Sequence, residues 1–229
     1  MIEYLFLDLD DTILDFKMAE YYAIRNTLAD FGLEPTEEVC ARYSVINQCH
    51  WEMLERKEIT RDQVRMGRFA VLFGEYDLPV DPAACAHAYE SNLAKGHYFM
   101  PGAEAALQRL AEKYPLYLTS NGNAHVQKGR LASAGIEKYF QKIFISQEIG
   151  VNKPDKEYFT RCFAQIPGFD PEKAMIVGDS LTSDILGGIN AGIRTCWVNT
   201  RGAAPRADIR PDYEIGGLDQ LEALLERIG

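Results

Sequence analysis

Tyr4-Leu5-Phe6-Leu7-Asp8-Leu9-Asp10-Asp11-Thr12 is the stretch that decides how this chain is read. A short apolar run ending in acid has the length of a β-strand buried on both faces and is too short for a helix. Side chains two apart on extended backbone point the same way, so Asp8 and Asp10 project together from the strand's carboxyl end. Open α/β sheets place their ligands at that end. Two neighbouring carboxylates repel unless a cation or proton lies between them. Alone, the pair reads equally well as a solvated turn, since Asp is a favoured turn residue.

Working outward, strand-sized apolar runs recur at 116–119, 143–146, 175–177 and 195–198. Helix-length amphipathic segments at 102–113, 126–134, 156–164 and 184–191 lie between them, with Gly135 and Gly192 placed as helix-ending residues. This alternation predicts an α/β fold: a Rossmann-like, doubly wound parallel sheet with helices on both faces. The region 15–97 breaks the pattern, with several helix-length segments and no strand. Within it, Thr60-Arg61-Asp62-Gln63 fits a capping box, and Asp81-Pro82 supplies an N-cap followed by proline at the first helical position. The expected organisation is a core built from 1–14 and 98–229 with a helical domain, 15–97, inserted into it.

Composition bounds the function. Of 229 residues, 47% are hydrophobic and 25% charged, which excludes disordered and fibrous classes. The longest uninterrupted apolar run, Phe69-Ala70-Val71-Leu72-Phe73, falls far short of the roughly 20 residues of a membrane span. The start Met1-Ile2-Glu3-Tyr4 lacks the basic and apolar regions of a signal peptide, so a cytoplasmic protein is expected. Lys and Arg total 24 against 34 Asp and Glu, a formal charge of -10, and no basic tract offsets that field. Polymeric nucleic acid is therefore excluded as a partner, while a small anion could still be met by a cation and a placed lysine. The five cysteines (Cys40, Cys49, Cys85, Cys162, Cys196) are scattered and read as reduced core thiols. No spacing of His50, His87, His97 and His125 suggests a triad or metal site.

Three further clusters follow strands. Leu118-Thr119-Ser120-Asn121-Gly122 offers small hydroxyl and amide donors, and Gly150-Val151-Asn152-Lys153-Pro154 offers a lysine before a helix start at Pro154. Gly178-Asp179-Ser180-Leu181-Thr182-Ser183-Asp184 repeats the acidic pattern after a strand. The last two have ordinary readings of their own: a solvated lysine, and a helix N-cap for which Ser183 or Asp184 would serve. A parallel sheet, however, brings all of them to one edge with Asp8 and Asp10.

The order DxDxT, Ser-Asn-Gly, Lys-Pro, GDxxxxD resembles the four motifs of the haloacid dehalogenase superfamily of aspartate-nucleophile phosphohydrolases, in its helical-cap type. Asp184-Ile185-Leu186-Gly187-Gly188-Ile189-Asn190-Ala191-Gly192, Thr195-Cys196-Trp197, and the cap segments Asn47 to Trp51 and Gly67-Arg68-Phe69 are similar to its pyrimidine 5'-nucleotidase branch. The resemblance implies Asp8 as nucleophile on phosphorus and Asp10 as general acid, then base on the attacking water. Ser120 and the amide of Asn121 would hold the phosphoryl oxygens, and Lys153 would neutralise charge. It implies magnesium held by Asp8, the carbonyl of Asp10, and Asp179, with Asp184 ligating directly or through water.

Phe16 and Trp51 could stack a pyrimidine where cap meets core, though core burial is the commoner fate of an aromatic. Arg68 could touch a base or sugar, against the plainer reading of a surface ion pair. Asp11 and Asp15 read as turn residues leading into the cap, and Asn123 as closing the phosphate loop. The expected function is a magnesium-dependent phosphatase acting through an aspartyl-phosphate, with pyrimidine 5'-monophosphates as substrates. Alternatives are a phosphatase of sugar or acid phosphates, a phosphomutase, a dehalogenase, and a catalytically silent binding module. Asp10 and the GDxxxxD cluster argue against a dehalogenase, which needs neither.

Overall fold

The structure is a computed structural model that describes residues 1–229. Six strands form one sheet in the order β3-β2-β1-β4-β5-β6: β1 (Tyr4–Asp8), β2 (Leu116–Ser120), β3 (Phe140–Ile145), β4 (Ala174–Gly178), β5 (Arg194–Val198) and β6 (Tyr213–Ile215). All neighbours run parallel, as the alternating texture predicts. The edge strand β6 is an addition: three residues are too few to stand out as an apolar run.

Side-chain alternation in the central strands explains why they read as continuous apolar runs. Leu5, Leu7, Leu116, Leu118, Met175 and Val177 face one apolar layer. Phe6, Tyr117, Ala174 and Ile176 face the other. Both faces are covered, so no position along these strands calls for a polar residue.

The first layer is closed by α5 (Ala103–Lys113) and α10 (Leu221–Ile228), with Leu131 of α6 (Ala124–Ala134) packing beside them. The second is closed by α8 (Lys156–Phe163), whose Tyr158, Phe159 and Cys162 lie against Phe6 and Ile176. Short helices α7 (Ser146–Ile149) and α9 (Leu186–Ala191) complete the crossovers. Gly135 and Gly192 end α6 and α9 at φ of 67° and 73°, the left-handed region that favours glycine. Helix α8 starts at Lys156 under an Asp155 cap, so Pro154 lies in the preceding turn rather than at a helix start.

Between β1 and α5 lie α1 (Phe16–Asp30), α2 (Glu37–Glu55), α3 (Arg61–Glu75) and α4 (Pro82–Leu93). They share an apolar cluster that includes Leu28, Tyr43, Phe69, Leu72 and Tyr89 and that Val126 of α6 also joins. Their starts are locally encoded. Asp15, Thr36, Thr60 and Asp81 each accept a backbone N–H of the first turn, and Thr60 and Gln63 form the reciprocal capping box.

Four of the cysteines are buried free thiols; Cys49 corrects the sequence expectation, lying exposed on α2. No helix is long and apolar enough to cross a membrane.

Candidate active site

Parallel register fixes the floor of the site. Asp8 pairs with Thr119 of β2, and Leu7 with Val177 of β4, so the carboxyl ends of three central strands open at one level. In this strand order the switch point falls between β1 and β4, where a crevice forms. Asp8 stands at the end of β1, Ser120 at the end of β2, and Asp179 directly after β4.

Lys153 reaches into this floor from the loop after α7. Its Nζ donates to Asp8 Oδ1 at 2.6 Å, to Asp184 Oδ1 at 2.6 Å and to the Thr119 carbonyl at 3.1 Å. Lys153 and Asp184 are each 1% exposed and Asp8 is 7%. The loop is braced from both sides by Asn121, whose Nδ2 donates to the Lys153 carbonyl and whose Oδ1 accepts the Lys153 N–H, both at 2.9 Å. The plain reading of Lys153 as a solvated lysine therefore fails.

Asp184 is buried in the π-helical turn 181–185 and also accepts the Ser180 backbone N–H at 3.1 Å. The cap of that turn is Ser180, which accepts the Ser183 N–H; neither Ser183 nor Asp184 serves as N-cap. Gly178 is required beside Asp184, because a Cβ there would lie 2.3 Å from its Oδ2. Trp197 of β5 donates to the Asp179 carbonyl at 2.8 Å and steadies the same loop.

Burial dominates the electrostatics. It pushes the Asp8 carboxyl up to about 8; Lys153 opposes that rise, while Asp184 and Asp10 add repulsion. Asp179 is held well above the ordinary carboxylate range by burial first, then by Asp8 and Asp184. Lys153 behaves differently: burial disfavours its charge, but Asp184 and Asp8 outweigh burial and raise its pKa. One ammonium thus faces three crowded carboxylates, a site short of positive charge.

The oxygens of Asp8, Asp179 and Asp184 lie within 4.8 Å of one another. An all-oxygen, anionic donor set of this kind fits a hard divalent cation such as magnesium.

Around this floor the structure adds residues that the sequence reading missed. Gln127 of α6 donates to Asp10 Oδ2 at 2.6 Å and to Ser120 Oγ at 2.8 Å. Arg130, one turn on and fully buried, pairs with Asp10 Oδ1 and donates to the Gly96 carbonyl at 3.1 Å. Their signal was present, since two long polar residues three apart share a helix face. That face reads as solvated until the packing partner is known. Asn123 is the α6 N-cap, and Asp15 caps α1. Asp11 accepts the Phe16 N–H at 3.0 Å and an Arg201 donor at 3.0 Å.

A cavity of about 400 Å³ rises from Asp8, Asp10, Ser120, Asn121, Lys153, Asp179 and Asp184 toward the four helices. Phe16 and Trp51 both line it and are half-buried; Phe16 also packs against the apolar cluster of the helices, and Trp51 does not. Arg68 is no surface ion pair: it is 4% exposed and donates to Asn47 Oδ1 at 2.7 Å. Arg61 spans from α3 to the sheet edge. It donates to the carbonyls of Asn121 and Gly122 at 2.9 and 3.2 Å, to Ser146 Oγ at 2.8 Å and to Asn152 Oδ1 at 2.7 Å. Thr182 donates to Glu55 at 3.0 Å in a second bridge between helices and core.

Known proteins are similar to this chain in sequence and in fold. The structure matches that of magnesium-bound YfnB from Bacillus subtilis at TM-score 0.94 and 40% identity, covering 98% of each chain. In sequence the chain is 35% identical to the pyrimidine 5'-nucleotidase PynA of Streptococcus pneumoniae, over 98% of this chain and 95% of PynA. It is 31% identical to the pyrimidine 5'-nucleotidase YjjG of Escherichia coli, over 97% of each. The haloacid dehalogenase-like hydrolase family matches residues 4–198, the span from the first strand to the fifth. The chain is an enzyme of the haloacid dehalogenase-like hydrolase family.

Proposed function

We propose that this enzyme hydrolyses phosphate monoesters through an aspartyl-phosphate, with pyrimidine nucleoside 5'-monophosphates as its substrates. The observation that carries the reading is Lys153, buried and bonded at once to Asp8 and Asp184 beside Asp179. An anionic nucleophile must approach an anionic phosphate, and a site that concentrates positive charge there lowers the barrier.

In this reading Asp8 attacks phosphorus and the ester oxygen leaves, giving the phosphorylated carboxylate. Asp10 gives the leaving oxygen its proton, then takes one from the water that hydrolyses the intermediate. Gln127 and Arg130 hold its carboxyl over the cavity through both steps. Ser120 Oγ and the Asn121 amide bind phosphoryl oxygens, and Gln127 orients the Ser120 hydroxyl. Lys153 balances the charge of Asp8 and the incoming phosphate. Asp8, Asp179 and Asp184, with the Asp10 carbonyl, would hold magnesium, which when bound supplies positive charge to the phosphoryl oxygens.

The helical region 15–97 acts as a cap that excludes water and limits the leaving group to a small molecule. Phe16 and Trp51 on the cavity wall offer faces for one base, and the pyrimidine 5'-nucleotidase relatives support a pyrimidine. Two acidic positions that a dehalogenase would not need, Asp10 and Asp179, favour phosphorus over carbon as the electrophile.

The test is a panel of phosphate monoesters, assayed with magnesium and with a chelator. UMP, dUMP and dTMP should give higher kcat/KM than purine counterparts, and all turnover should depend on the metal. Sugar or acid phosphates turned over far more efficiently than every pyrimidine monophosphate would falsify the nucleotidase reading and leave a general phosphatase.

A further inference from the structure

The helices above the catalytic floor bury polar side chains where a plain water shield would need only apolar ones. Glu20 of α1, Asn47 of α2 and Arg68 of α3 are 4%, 2% and 4% exposed, yet all three line the cavity. Glu20 accepts from Ser44 Oγ and from Asn47 Nδ2, each at 2.5 Å, and Asn47 Oδ1 accepts from Arg68 Nη1 at 2.7 Å. The Arg68 guanidinium lies 4.7 Å above the Tyr89 ring, and its buried Nε has no partner. Removing such groups from water is unfavourable, and packing the apolar cluster behind them does not require it.

The chain chemistry of this relay fixes Asn47. Arginine only donates, so the amide oxygen must face Arg68; a carboxylate only accepts, so the amide nitrogen must face Glu20. Asn47 cannot turn over. Each end keeps spare capacity, one N–H on the nitrogen and one lone pair on the oxygen, so the amide still offers an adjacent donor and acceptor in a set order.

We infer that Asn47, held by Glu20 and Arg68, reads the leaving group by pairing with an adjacent N–H and C=O, the imide edge of a uracil or thymine base. This rests on the nucleotidase reading and names the group that recognises its base. The imide edge has a carbonyl on each side of its N–H, so it meets the fixed amide in either of two registers. A cytosine edge, with its amino group beside an unprotonated ring nitrogen, meets it in one register only.

The experiment measures kcat and KM with magnesium for UMP, N3-methyluridine 5'-monophosphate, CMP, glucose 6-phosphate and p-nitrophenyl phosphate, for the wild-type protein and for Asn47→Ala. Wild-type kcat/KM should be about tenfold or more lower for the N3-methylated nucleotide than for UMP, the loss of one to two hydrogen bonds. Asn47→Ala should remove most of that difference, chiefly by raising KM for UMP, and should cut UMP turnover more than that of p-nitrophenyl phosphate.

Equal wild-type kcat/KM for UMP and its N3-methyl form, with nucleotides still preferred, overturns the role of Asn47 and leaves the nucleotidase reading standing. That arm needs no variant. A folded Asn47→Ala protein that still rejects the N3-methyl form overturns it too. Preference for glucose 6-phosphate over every nucleotide overturns the nucleotidase reading itself, and the inference with it.

Discussion

The ammonium of Lys153 lies 2.6 Å from the carboxylate of Asp8, although 145 residues separate them in the chain. Both are buried, and the same ammonium holds Asp184 at 2.6 Å. Removing one member of such a group strands charge in a low-dielectric site. Lys153→Met is therefore expected to lower unfolding free energy by about 3 kcal/mol in chelator, with part of the loss restored by magnesium. Urea denaturation with and without the cation measures this, and an unchanged midpoint in chelator would show that the pairing contributes nothing.

Asp8→Asn keeps the size of the side chain and removes the attacking charge. Turnover of p-nitrophenyl phosphate should fall by about a thousandfold or more while the far-ultraviolet circular dichroism is unchanged. Appreciable activity in a sequence-verified preparation would rule out Asp8 as the nucleophile.

Stability of the metal-free protein should fall as pH rises. Burial raises Asp8 to about 8 from 3.8 and raises Asp179 as well. Folding therefore favours the protonated carboxyls, and the unfolded chain loses those protons first. The resulting stability is fully present below about pH 4 and is lost through the window up to about pH 8. Magnesium replaces the protons, so its stabilising effect should be larger at pH 8 than at pH 6. Thermal melts at the two values with chelator or magnesium decide it; an equal shift at both removes the linkage.

Arg61 ties α3 to the loop carbonyls of Asn121 and Gly122 and to Asn152, next to Lys153. Arg61→Ala should lower kcat/KM about tenfold for both an aryl phosphate and a nucleotide, because the bridge acts on the catalytic loops, whatever the leaving group. Arg61→Lys, which lacks the planar fork, should recover only part. A loss confined to nucleotides would make Arg61 a base contact instead.

Only Cys49 of the five thiols is exposed. Burial pushes Cys85, Cys162 and Cys196 up to about 12, so they are both shielded and protonated at neutral pH. Iodoacetamide at pH 8 should add one label to the native protein, at Cys49, and five after denaturation. Native mass spectra showing two or more labels would mean the core opens.

The central strands and the helix caps were legible in the sequence because they rest on local rules. Apolar runs ending in acid mark β1 and β4, an apolar run ending in small polar residues marks β2, and Thr60 with Gln63 or Asp81 with Pro82 mark helix starts within four residues of chain. The convergence of Asp8, Asp179, Asp184 and Lys153 also followed, since a parallel sheet sends every loop after a strand to the same edge. Only the tertiary structure decided which polar residues face inward. Arg68, Arg130 and Gln127 lie on helices whose polar positions look like ordinary solvated faces, and each is buried because another element covers it. Burial of a long polar side chain depends on finding partners such as Asn47 for Arg68, or Asp10 for Arg130 and Gln127, which are 21 to 120 residues away in sequence. Local periodicity carries no record of those pairings, so they exist only in the folded chain.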